Sequence, residues 1–446
     1  MYKFSKYNYY IKNNSNELLL YNSMMGTKSF CKIPNNVVEL FDANEITCLE
    51  SINADIEYLV TKGIVVKKDE DEQIKLNDIF LNTINNDILS LTILPNESCN
   101  FNCVYCYQNN KKTILSKKDK ISIVEFVKQH INKYRGLSVS WFGGEPLLNV
   151  DIILELSQQL RMVCFENRKI YISDITTNGF LLNKDIFKNL IKNNVLTYQI
   201  TIDGNSIIHN QQRPLKSGKG SYEKIIENLM EIKREIKSKF FKIIIRINCS
   251  KIIMNQISNV VKEMNTYFSN DERFSILLRP VMNLGGDKIE DFDQNIIDIN
   301  SFVSVYDYFI GDETDLSFEV YKNFLEPGGS VCYAAKKNHY TISSSGEIFK
   351  CTCDLNNLQD SKIGRISSQG KFEIIDYKKS LWTADIRNIK SKCTNCKFAP
   401  CCLYDFCTLQ KKLLKYNDCP IDKYCIERIL VLLDKTSDFE IIKLRA

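Results

Sequence analysis

The chain has 446 residues and a formal net charge of +5, with 44% hydrophobic and 25% charged residues. This length exceeds one ordinary domain and predicts two or three, while the composition supports a normal globular core. The lysines are scattered and form no basic block, which disfavours a nucleic-acid partner. No apolar run reaches membrane-spanning length and the N-terminus lacks the apolar segment of a signal peptide, so we expect a cytoplasmic protein with no membrane partner.

Residues 1–86 are predicted to form a small domain of short strands and three short helices. Alternating patterns predict the strands, which are NYYIK, ELLLYNS, GTKSFCKI and, after the helices, IVVKK. Helical spacing is found in NVVELFDA, EITCLESI and ADIEYLVTKG. The acidic stretch DEDEQIK is predicted to be a linker to the next domain. This order of elements resembles a winged-helix domain.

Residues 87–290 alternate between strand-like and helix-like patterns. The six predicted strands are ILSLTILP, LSVSWFGG, IYISDITTNG, LTYQITIDG, KIIIRINCS and FSILLRPV. Helices are predicted over 117–134, 150–165, 183–193, 221–237 and 255–267. Six βα units imply an α/β fold with a parallel sheet, either a partial (β/α)6 barrel or an open sheet. Glycines and polar residues end several of these strands, so we expect the active site at that edge of the sheet.

Residues 291–330 are predicted to bridge to a loop-rich region, 331–446, which ends in a helix. Ten of the 17 cysteines lie in this last region. Structural disulfides are rare in the cytoplasm, so we expect these cysteines to bind metal or iron–sulfur clusters. The isolated cysteines are predicted to be buried small apolar residues, and they are Cys31, Cys48, Cys164 and Cys249.

Three further cysteines follow the first strand of the alternating region in the pattern Cys99-x3-Cys103-x2-Cys106. A zinc site uses four ligands and a disulfide uses two cysteines. A cubane iron–sulfur cluster takes one thiolate per iron, so three thiolates leave one iron open to another ligand. We therefore predict that these three cysteines hold a cluster with an open iron and form the catalytic centre.

The spacing of these cysteines resembles the motif of the radical S-adenosylmethionine (SAM) enzymes, in which an aromatic residue precedes the third cysteine, as Tyr105 does here. The resemblance implies that SAM chelates the open iron of a [4Fe–4S] cluster. It also implies cleavage of SAM to a 5′-deoxyadenosyl radical, which takes hydrogen from the substrate. The stretch GGEP resembles the glycine-rich motif of the family. Gly143 and Gly144 allow close backbone approach, and Glu145 is expected to pair with the amino group of SAM.

Later strand ends, TTNG at 176–179 and TIDGNSIIHNQQRP at 201–214, resemble those of the same family. The resemblance implies contacts to the ribose or the carboxylate of SAM from Thr177, Asn178, Thr201 and Asp203. Either Arg213 or Arg246 is expected to hold the SAM carboxylate, because a guanidinium suits planar bidentate recognition.

The C-terminal cysteines resemble the SPASM extension of this family, which implies two auxiliary [4Fe–4S] clusters and three clusters in all. By the family pattern, the first auxiliary cluster is held by Cys332, Cys351 and Cys407. Its fourth ligand is open between Cys353, a substrate thiol and none. The second cluster is held by Cys393, Cys396, Cys402 and Cys419. Four residues separate Cys402 from Cys407 where the family has three, so the choice between Cys401 and Cys402 is open. One or two structural zinc sites are the alternative.

The SPASM resemblance implies that the substrate is a peptide or a protein. The N-terminal domain resembles the leader-recognition domain of enzymes that mature ribosomally made peptides, including those that form sactipeptide and ranthipeptide thioethers. We therefore expect a peptide maturase that abstracts hydrogen from a precursor peptide and installs a cysteine thioether. A flavodoxin or ferredoxin is the expected electron donor.

Other functions compete with this interpretation. Anaerobic sulfatase maturases oxidise Cys or Ser to formylglycine, and they carry an aspartate directly after the second cysteine of the first auxiliary set. This chain has Thr352 there, although Asp354 remains a candidate base in a shifted loop. The N-terminal domain is alternatively a structural cap on the barrel. A non-catalytic electron carrier and a nucleic-acid-modifying enzyme are more distant alternatives.

Overall fold

The computed structural model describes most of the chain, namely residues 2–33, 55–284, 288–311, 315–355, 361–385, 391–404, 407–409, 419–435 and 439–442. The predicted helices NVVELFDA and EITCLESI, together with Cys48, lie outside these residues. All the predicted strands lie within them, as does the helix ADIEYLVTKG apart from its first residue, Ala54.

Strands and helices in the described part are numbered along the chain. The strands are β1 (Tyr2–Phe4), β2 (Asn8–Lys12), β3 (Leu18–Asn22), β4 (Cys31–Ile33), β5 (Val65–Lys67), β6 (Ile88–Ile93), β7 (Gly136–Trp141), β8 (Ile170–Thr177), β9 (Val195–Thr201), β10 (Lys242–Cys249), β11 (Phe274–Pro280), β12 (His339–Ile342), β13 (Glu347–Phe349), β14 (Gly364–Ile366), β15 (Phe372–Ile374) and β16 (Glu440–Ile441). The α-helices are α1 (Ile56–Thr61), α2 (Glu72–Ile84), α3 (Lys117–His130), α4 (Val150–Glu166), α5 (Lys184–Lys192), α6 (Ser206–Gln212), α7 (Tyr222–Glu235), α8 (Lys251–Met254), α9 (Ile257–Phe268), α10 (Ile289–Phe292), α11 (Ile299–Gly311), α12 (Lys322–Leu325), α13 (Asp376–Ser380), α14 (Ala399–Cys402) and α15 (Ile421–Asp434).

The central feature is one mixed sheet in the order β11-β10-β9-β8-β7-β6-β12-β13-β14-β15. The six strands from β11 to β6 are parallel to their neighbours and correspond to the six strands predicted from the sequence. The helices α3, α4, α5, α7 and α9 lie between them in the chain, as predicted. The α/β fold with a partial barrel of βα units is therefore confirmed.

Helix α4 illustrates why these segments become helices. Its residues Ile153, Leu156, Leu160 and Val163 are spaced by three and four positions, so they share one face, and all are buried. Burying each such side chain contributes about 1.5–3 kcal/mol relative to exposure. The apolar stripe thus fixes the helix against the sheet and leaves its polar face in solvent.

The C-terminal region adds more regular structure than its sequence predicted. Strand β12 pairs in parallel with β6, and β13, β14 and β15 continue the sheet in antiparallel order. No strands were predicted over residues 339–374, because strands of three or four residues are too short to show a clear alternation. This extension joins the cysteine-rich region directly to the strand that leads into Cys99.

The predicted linker DEDEQIK is wrong in its second half. Helix α2 begins at Glu72, and the side chain of Asp71 caps it by accepting a hydrogen bond from the backbone N–H of Gln73 at 2.8 Å. Acidic residues stabilise the first turn of a helix, so the charge that suggested a linker marks a helix start. Leu76, Phe80 and Ile84 form the buried face of α2.

The N-terminal domain contains an antiparallel sheet of β2, β3 and β4, to which β16 from the far end of the chain is added. Helix α1 begins after the cap Asp55 and is followed by Gly63, whose φ of 70° reverses the chain into β5. The strands and the helix predicted from NYYIK, ELLLYNS and ADIEYLVTKG are confirmed. The first half of GTKSFCKI is a 3-10 turn at Gly26–Ser29 and not a strand.

Helix α15 connects the C-terminal region to the barrel. It packs along α11, and an ion pair of 2.8 Å joins Arg279 at the end of β11 to Asp422 in its first turn. Within the part of the chain that the structure describes, every helix is too short or too polar to cross a membrane.

Candidate functional site

The cysteine loop, residues 94–116, leaves the C-terminal end of β6 and is held by a second loop that follows α6. The backbone N–H of Asn102 donates to the carbonyl of Pro214 at 2.8 Å, and that of Val104 donates to Gln212 at 3.0 Å. Phe101 and Leu215 form a β-bridge beside them. The loop that carries the three cysteines is therefore fixed to the barrel edge by backbone hydrogen bonds.

The thiols of Cys99, Cys103 and Cys106 are half-buried neighbours on this loop. Burial raises the pKa of Cys99 to about 12, and the nearby Cys103 and Cys106 add to that rise. Burial also raises the pKa of Cys103, to about 11, although the guanidinium of Arg213 opposes the rise. Three clustered thiols sheltered from water fit a cluster that takes one thiolate per iron. Among the described residues, no three candidate ligands converge as they would around a single metal ion.

The GGEP turn after β7 packs against the residues just before Cys99. The backbone N–H of Glu145 donates to the carbonyl of Ser98 at 2.8 Å. A Cβ atom placed on Gly144 would lie 2.2 Å from that same oxygen, so no larger residue fits without moving the loop. Gly144 therefore allows the backbone of the cysteine loop, at Ser98, to pack closely against the GGEP turn.

Glu145 is fully buried and joins the ends of β7 and β8 through its carboxylate. Its Oε1 accepts from Thr177 Oγ1 at 2.7 Å and from the backbone N–H of Leu147 at 2.9 Å. Its Oε2 accepts from the backbone N–H of Asn178 at 2.7 Å. Burial raises the pKa of Glu145, and these hydrogen bonds oppose the rise. A carboxylate has about four acceptor positions, so one stays available for an ammonium group.

Tyr105 is the centre of a buried network beside the cysteine loop. Its hydroxyl donates to Asp203 and accepts from Arg213 Nη1 at 2.7 Å and from Asn248 Nδ2 at 3.1 Å. Asp203 also accepts from the backbone N–H of Asn248 at 2.9 Å. Three of the predicted SAM contacts, Tyr105, Asp203 and Arg213, therefore hold one another in place.

The two candidate arginines occupy different positions. Arg213 lies 5.8 Å from the ring of Phe101 and next to the thiol of Cys103, and its buried Nε has no hydrogen-bond partner among the described residues. Arg246 lies in β10 and donates from Nε to Asn248 Oδ1 at 2.8 Å. Burial and the neighbouring Arg279 lower the pKa of Arg246, so this part of the barrel is rich in positive charge and suits a carboxylate.

Two other predicted SAM contacts end the neighbouring strands. Asn178 donates from Nδ2 to Asn100 Oδ1 at 2.8 Å, which links the end of β8 to the cysteine loop. Thr201 is buried at the last position of β9. All the predicted SAM-binding residues thus lie at one edge of the parallel sheet, as expected for such a fold.

The C-terminal cysteines form two groups. In the first, Cys332 contacts Cys407, Cys351 contacts Cys353, and the two pairs interact electrostatically. A hydrogen bond shared by Cys351 and Cys353 raises the pKa of the former and lowers that of the latter. The structure therefore brings Cys353 together with the three ligands expected for the first auxiliary cluster.

The second group contains Cys393, Cys396, Cys402 and Cys419. Burial raises the pKa of Cys402 to about 12, and the other three thiols add to the rise, so they lie near it. Lys423 Nζ donates to Cys419 Sγ at 3.5 Å and also contacts Cys396. These are the four residues expected for the second auxiliary cluster.

Cys401 points away from this group. Its Sγ is fully buried, 3.2 Å from the hydroxyl of Tyr21 and 3.5 Å from the carbonyl oxygen of Leu325. Burial raises its pKa well above that of a free thiol. The geometry therefore favours Cys402 over Cys401 as the ligand. Cys425 is likewise buried, in α15, near Tyr306.

The predicted base, Asp354, follows Cys353 directly. Its carboxylate accepts a hydrogen bond from the hydroxyl of Ser361, which begins the next described segment. Thr352 is hydrogen-bonded to Tyr333 at 2.7 Å between their hydroxyls. Asp354 thus lies beside the first auxiliary group, and its role as a base stays a prediction.

Several polar residues near these sites escaped the sequence analysis. Tyr107, next to Cys106, is hydrogen-bonded to the thiol of Cys353, so the cysteine loop meets the first auxiliary group there. Asp174 on β8 accepts from Ser140 Oγ on β7 at 2.8 Å, and burial raises its pKa to about 6. The available signal for Asp174 was a carboxylate in the middle of a predicted strand.

Lys350 is a third residue that was missed. It is fully buried, directly before Cys351, and its Nζ donates to the carbonyl oxygens of His339 at 2.8 Å and of Lys336 at 2.5 Å. Burial lowers its pKa to about 7, and Cys332 opposes the decrease. A buried lysine close to Cys332 and directly before Cys351 can supply positive charge next to a cluster that carries negative charge.

Comparison with known proteins agrees with this geometry. Residues 93–248 match the family described as the radical SAM superfamily. The cysteine-type anaerobic sulfatase-maturating enzyme of Clostridium novyi (strain NT) is 25% identical over 70% of this chain and 86% of its own length. The radical SAM cyclopropyl synthase TigE of Paramaledivibacter caminithermalis is 23% identical over 78% of each chain.

A solved structure matches nearly the whole fold. Streptococcus suis SuiB bound to its precursor peptide SuiA aligns with a TM-score of 0.51 and 18% identity, over 95% of this chain and 100% of SuiB. Residues 93–248 are a radical SAM domain, so the predicted family is confirmed for this part of the chain, and the protein is an enzyme related to catalytic maturating enzymes. Its class implies a [4Fe–4S] cluster and SAM. The non-catalytic electron carrier is therefore excluded.

Proposed function

We propose that this enzyme is a peptide maturase that installs a cysteine thioether in a ribosomally made precursor peptide. Residues 1–86 bind the leader, 87–290 carry out the radical chemistry, 291–330 bridge, and 331–446 hold two auxiliary clusters. The observation that carries the proposal is the N-terminal sheet of β2, β3 and β4 joined to a radical SAM domain. Such a sheet offers an edge to which an extended peptide can add as a strand.

The residues of the chain bind and orient the reactants. When bound, the cluster and SAM supply a 5′-deoxyadenosyl radical that can take hydrogen from an unactivated carbon. Cys99, Cys103 and Cys106 hold the cluster, and the free acceptor position on Glu145 receives the amino group of SAM. Arg213 or Arg246 binds the carboxylate, while Thr177, Asn178, Thr201 and Asp203 surround the ribose.

Formation of a thioether removes one hydrogen atom from a peptide carbon, and a proton and an electron from a peptide thiol. An electron acceptor is therefore needed inside the protein. We assign this role to the clusters that the two groups of C-terminal cysteines would hold. The first group uses Cys353 as its fourth ligand. A flavodoxin or ferredoxin supplies the electron that starts the reaction. The cytoplasm is the proposed compartment, because free thiols persist where glutathione and thioredoxin keep them reduced.

The likeness to known proteins supports a peptide substrate. SuiB holds a precursor peptide in its solved structure, and its fold spans 95% of this chain. The sulfatase-maturating relative covers only 70% of this chain, although 86% of its own length is matched. This chain therefore has sequence beyond what that relative shares, which supports an additional peptide-binding domain.

Maturation of a sulfatase is the second candidate, because the Clostridium novyi relative performs that reaction. In this case Asp354 acts as the base that takes the proton from the thiol or hydroxyl of the substrate residue, after its β carbon has lost a hydrogen atom and an electron has been passed on. Its hydrogen bond from Ser361 fixes the carboxylate beside the first thiol group. The residue that directly follows Cys351 is Thr352, which has no basic group and counts against this candidate.

The test is anaerobic incubation of the full-length enzyme with SAM, a reductant and candidate precursor peptides, followed by mass spectrometry. A thioether product loses two hydrogens, keeps its sulfur and no longer reacts with a thiol-alkylating reagent. A formylglycine product made from cysteine loses its sulfur and reacts with hydroxylamine. Recovery of the second product from a sulfatase peptide, with no thioether from any precursor, would overturn the proposal.

A further inference from the structure

The edge of β4 in the N-terminal sheet is already occupied by a strand from the other end of the chain. Strand β16 pairs in parallel with β4, with Glu440 opposite Cys31 and Ile441 opposite Lys32. The backbone N–H of Ile442 donates to the carbonyl of Lys32 at 3.0 Å. Residues 439–442 therefore bind to this edge as an added strand.

Two side chains of this segment are buried in matching apolar sites. The ring of Phe439 stacks on the ring of Phe30 with 4.4 Å between centroids and 8° between planes. Ile442 is 3% exposed and belongs to the apolar core of the N-terminal domain, which also contains Leu18, Leu59 and Ile64. Ile441, which precedes Ile442, is 60% exposed, so this position places little restriction on the residue that occupies it.

An acidic side chain completes the recognition. Glu440 Oε2 accepts from the hydroxyl of Tyr58 at 2.9 Å and pairs with Lys62 Nζ at 2.9 Å. Tyr58 lies in α1 and Lys62 directly follows it, so the helix and the sheet edge form two walls of one groove. We call this groove, made by β4, α1 and Phe30, the strand groove.

We propose that residues 439–442 are an internal ligand of the strand groove and that the leader peptide competes for the same groove. The competing segment has the chemistry of the internal one, which is an aromatic residue, an acidic residue, any residue and an aliphatic residue. It binds parallel to β4 with its acidic side chain on Lys62. This inference rests on the proposed function only in identifying the competitor as a leader peptide.

The way the internal strand is attached suits a displaceable ligand. Helix α15 ends at Asp434, which is fixed beside β4 by an ion pair of 3.3 Å to Lys32 and a hydrogen bond of 2.8 Å from Asn13. A tether this short holds the segment at an effective concentration in the millimolar range. A strand of two residues is among the shortest that pair, so a longer peptide with the same pattern can replace it.

The opposite edge of the sheet, at β2, is the other place where a peptide can add. A peptide bound there leaves the strand groove filled and does not compete with residues 439–442. The two positions therefore differ in one measurable property, which is whether weakening the internal strand improves peptide binding.

The test uses the full-length enzyme and a fluorescent synthetic peptide of sequence DFEIIK, which copies residues 438–443 of this chain. Fluorescence anisotropy measures its binding to the wild type and to Glu440→Lys, which turns the attraction to Lys62 into repulsion. We expect at least tenfold tighter binding to the variant. Glu166→Lys, an exposed site in the last turn of α4, carries the same charge change and is expected to bind the peptide like the wild type.

A second pair of variants checks the groove itself. Adding Lys62→Glu to Glu440→Lys restores the internal ion pair with reversed charges, so binding of DFEIIK falls back to the wild-type level or below. A peptide with lysine in place of its glutamate then gains affinity for Lys62→Glu alone. Equal binding of DFEIIK to the wild type and to Glu440→Lys would overturn the inference, provided that both proteins still cleave SAM.

Kinetics with a precursor peptide separate this inference from the proposed function. If the leader uses the strand groove, Glu440→Lys lowers the KM for the precursor and leaves kcat unchanged. An unchanged KM would overturn the competition, even though the precursor is still modified. If no precursor is modified while DFEIIK still binds better to the variant, the proposed function fails and the internal ligand stands.

Discussion

The cysteine loop and the C-terminal cysteine groups hold thiols in two different ways. Cys103 lies on a loop that backbone hydrogen bonds from Asn102 and Val104 fasten to the barrel. Cys332 and Cys407 are separated by 74 intervening residues, and their thiols contact each other in a region whose strands are all short. We therefore expect the barrel to form its site before any cluster binds, and the C-terminal region to need the proposed auxiliary clusters to fix its loops.

The largest expected effect tests the first half of this comparison, which is that the barrel forms its site without a cluster. Cys103→Ser should reduce SAM cleavage to background, because a cubane with only two thiolate ligands cannot present an open iron in the same place. The free energy of unfolding of the barrel should change by less than about 2 kcal/mol. SAM cleavage followed by chromatography, together with urea unfolding, measures both. Cys164→Ser, at a buried cysteine in α4, is the matched control and should keep SAM cleavage.

A retained rate in Cys103→Ser would show that the loop does not carry the catalytic cluster. Loss of folding in this variant but not in Cys164→Ser would show that the barrel depends on its cluster as much as the C-terminal region does.

The second prediction compares the adjacent residues Cys401 and Cys402. If the chain holds the three cubane clusters proposed above, it carries about twelve irons, so Cys402→Ser should lower the iron content by about a third. Cys401→Ser should keep its iron, because Cys401 contacts Tyr21 and Leu325 instead of the other thiols. Cys401→Ser should lower the free energy of unfolding by about 1–2 kcal/mol, because it changes the buried contacts of this side chain.

Iron analysis after anaerobic reconstitution, and limited proteolysis of the C-terminal region, distinguish the two variants. Equal iron loss in both would contradict the assignment of Cys402 as the ligand. Unchanged proteolysis in Cys402→Ser would contradict the idea that clusters fix this region.

The third prediction concerns the contact between Gly144 and the cysteine loop. In Gly144→Ala the new Cβ would approach Ser98 O to 2.2 Å, so the loop must shift. Overpacking of this kind costs about 1–3 kcal/mol. The affinity for SAM should fall, and the electron paramagnetic resonance spectrum of the reduced cluster should change. Gly311→Ala is the matched control, because Gly311, like Gly144, is not at positive φ and its new Cβ meets no described atom within 4 Å. An unaltered spectrum in Gly144→Ala would show that the loop is not fixed by this turn.

The smallest effect is a pH dependence within the barrel. The pKa of Asp174 is raised to about 6 by burial, above the unfolded value of about 3.9. The folded state therefore holds this proton more tightly, and its stability falls as pH rises through about 4 to 6. Asp174→Asn should raise the free energy of unfolding at pH 7.5 by about 1–2 kcal/mol, because water screens part of the cost.

Urea unfolding at pH 5 and pH 7.5 measures this difference. The gain from Asp174→Asn should be larger at pH 7.5 than at pH 5. A gain that is equal at both pH values would show that Asp174 does not titrate in this range.

The sequence predicted the barrel well because long periodic segments carry their own signal. Strand β10 buries alternate residues along most of its length, and helix α4 buries residues spaced by three and four positions. Both elements lie where these patterns predicted them. Helix α2 was missed because its capping residue, Asp71, also suits a linker. Strands β12 to β15 were missed because each has only three or four residues.

The site was predicted in its residues but not in its connections. The motif identified Tyr105, yet its partners Asp203 and Asn248 are 98 and 143 residues away, and only the fold brings them together. The choice between Cys401 and Cys402 also needed the structure. Successive residues of a helix point about 100° apart, so neighbours in sequence face different surroundings.

The addition of β16 to the N-terminal sheet has a consequence for biosynthesis. The ribosome completes β4 at residue 33 and reaches β16 only at residue 440. At 5–20 residues per second this interval lasts roughly 20 to 80 seconds. Throughout it the nascent chain exposes an unpaired sheet edge, which is a template for aggregation unless something covers it. Once α1 has also been made, translation therefore leaves a period in which the strand groove is open to a newly made precursor peptide.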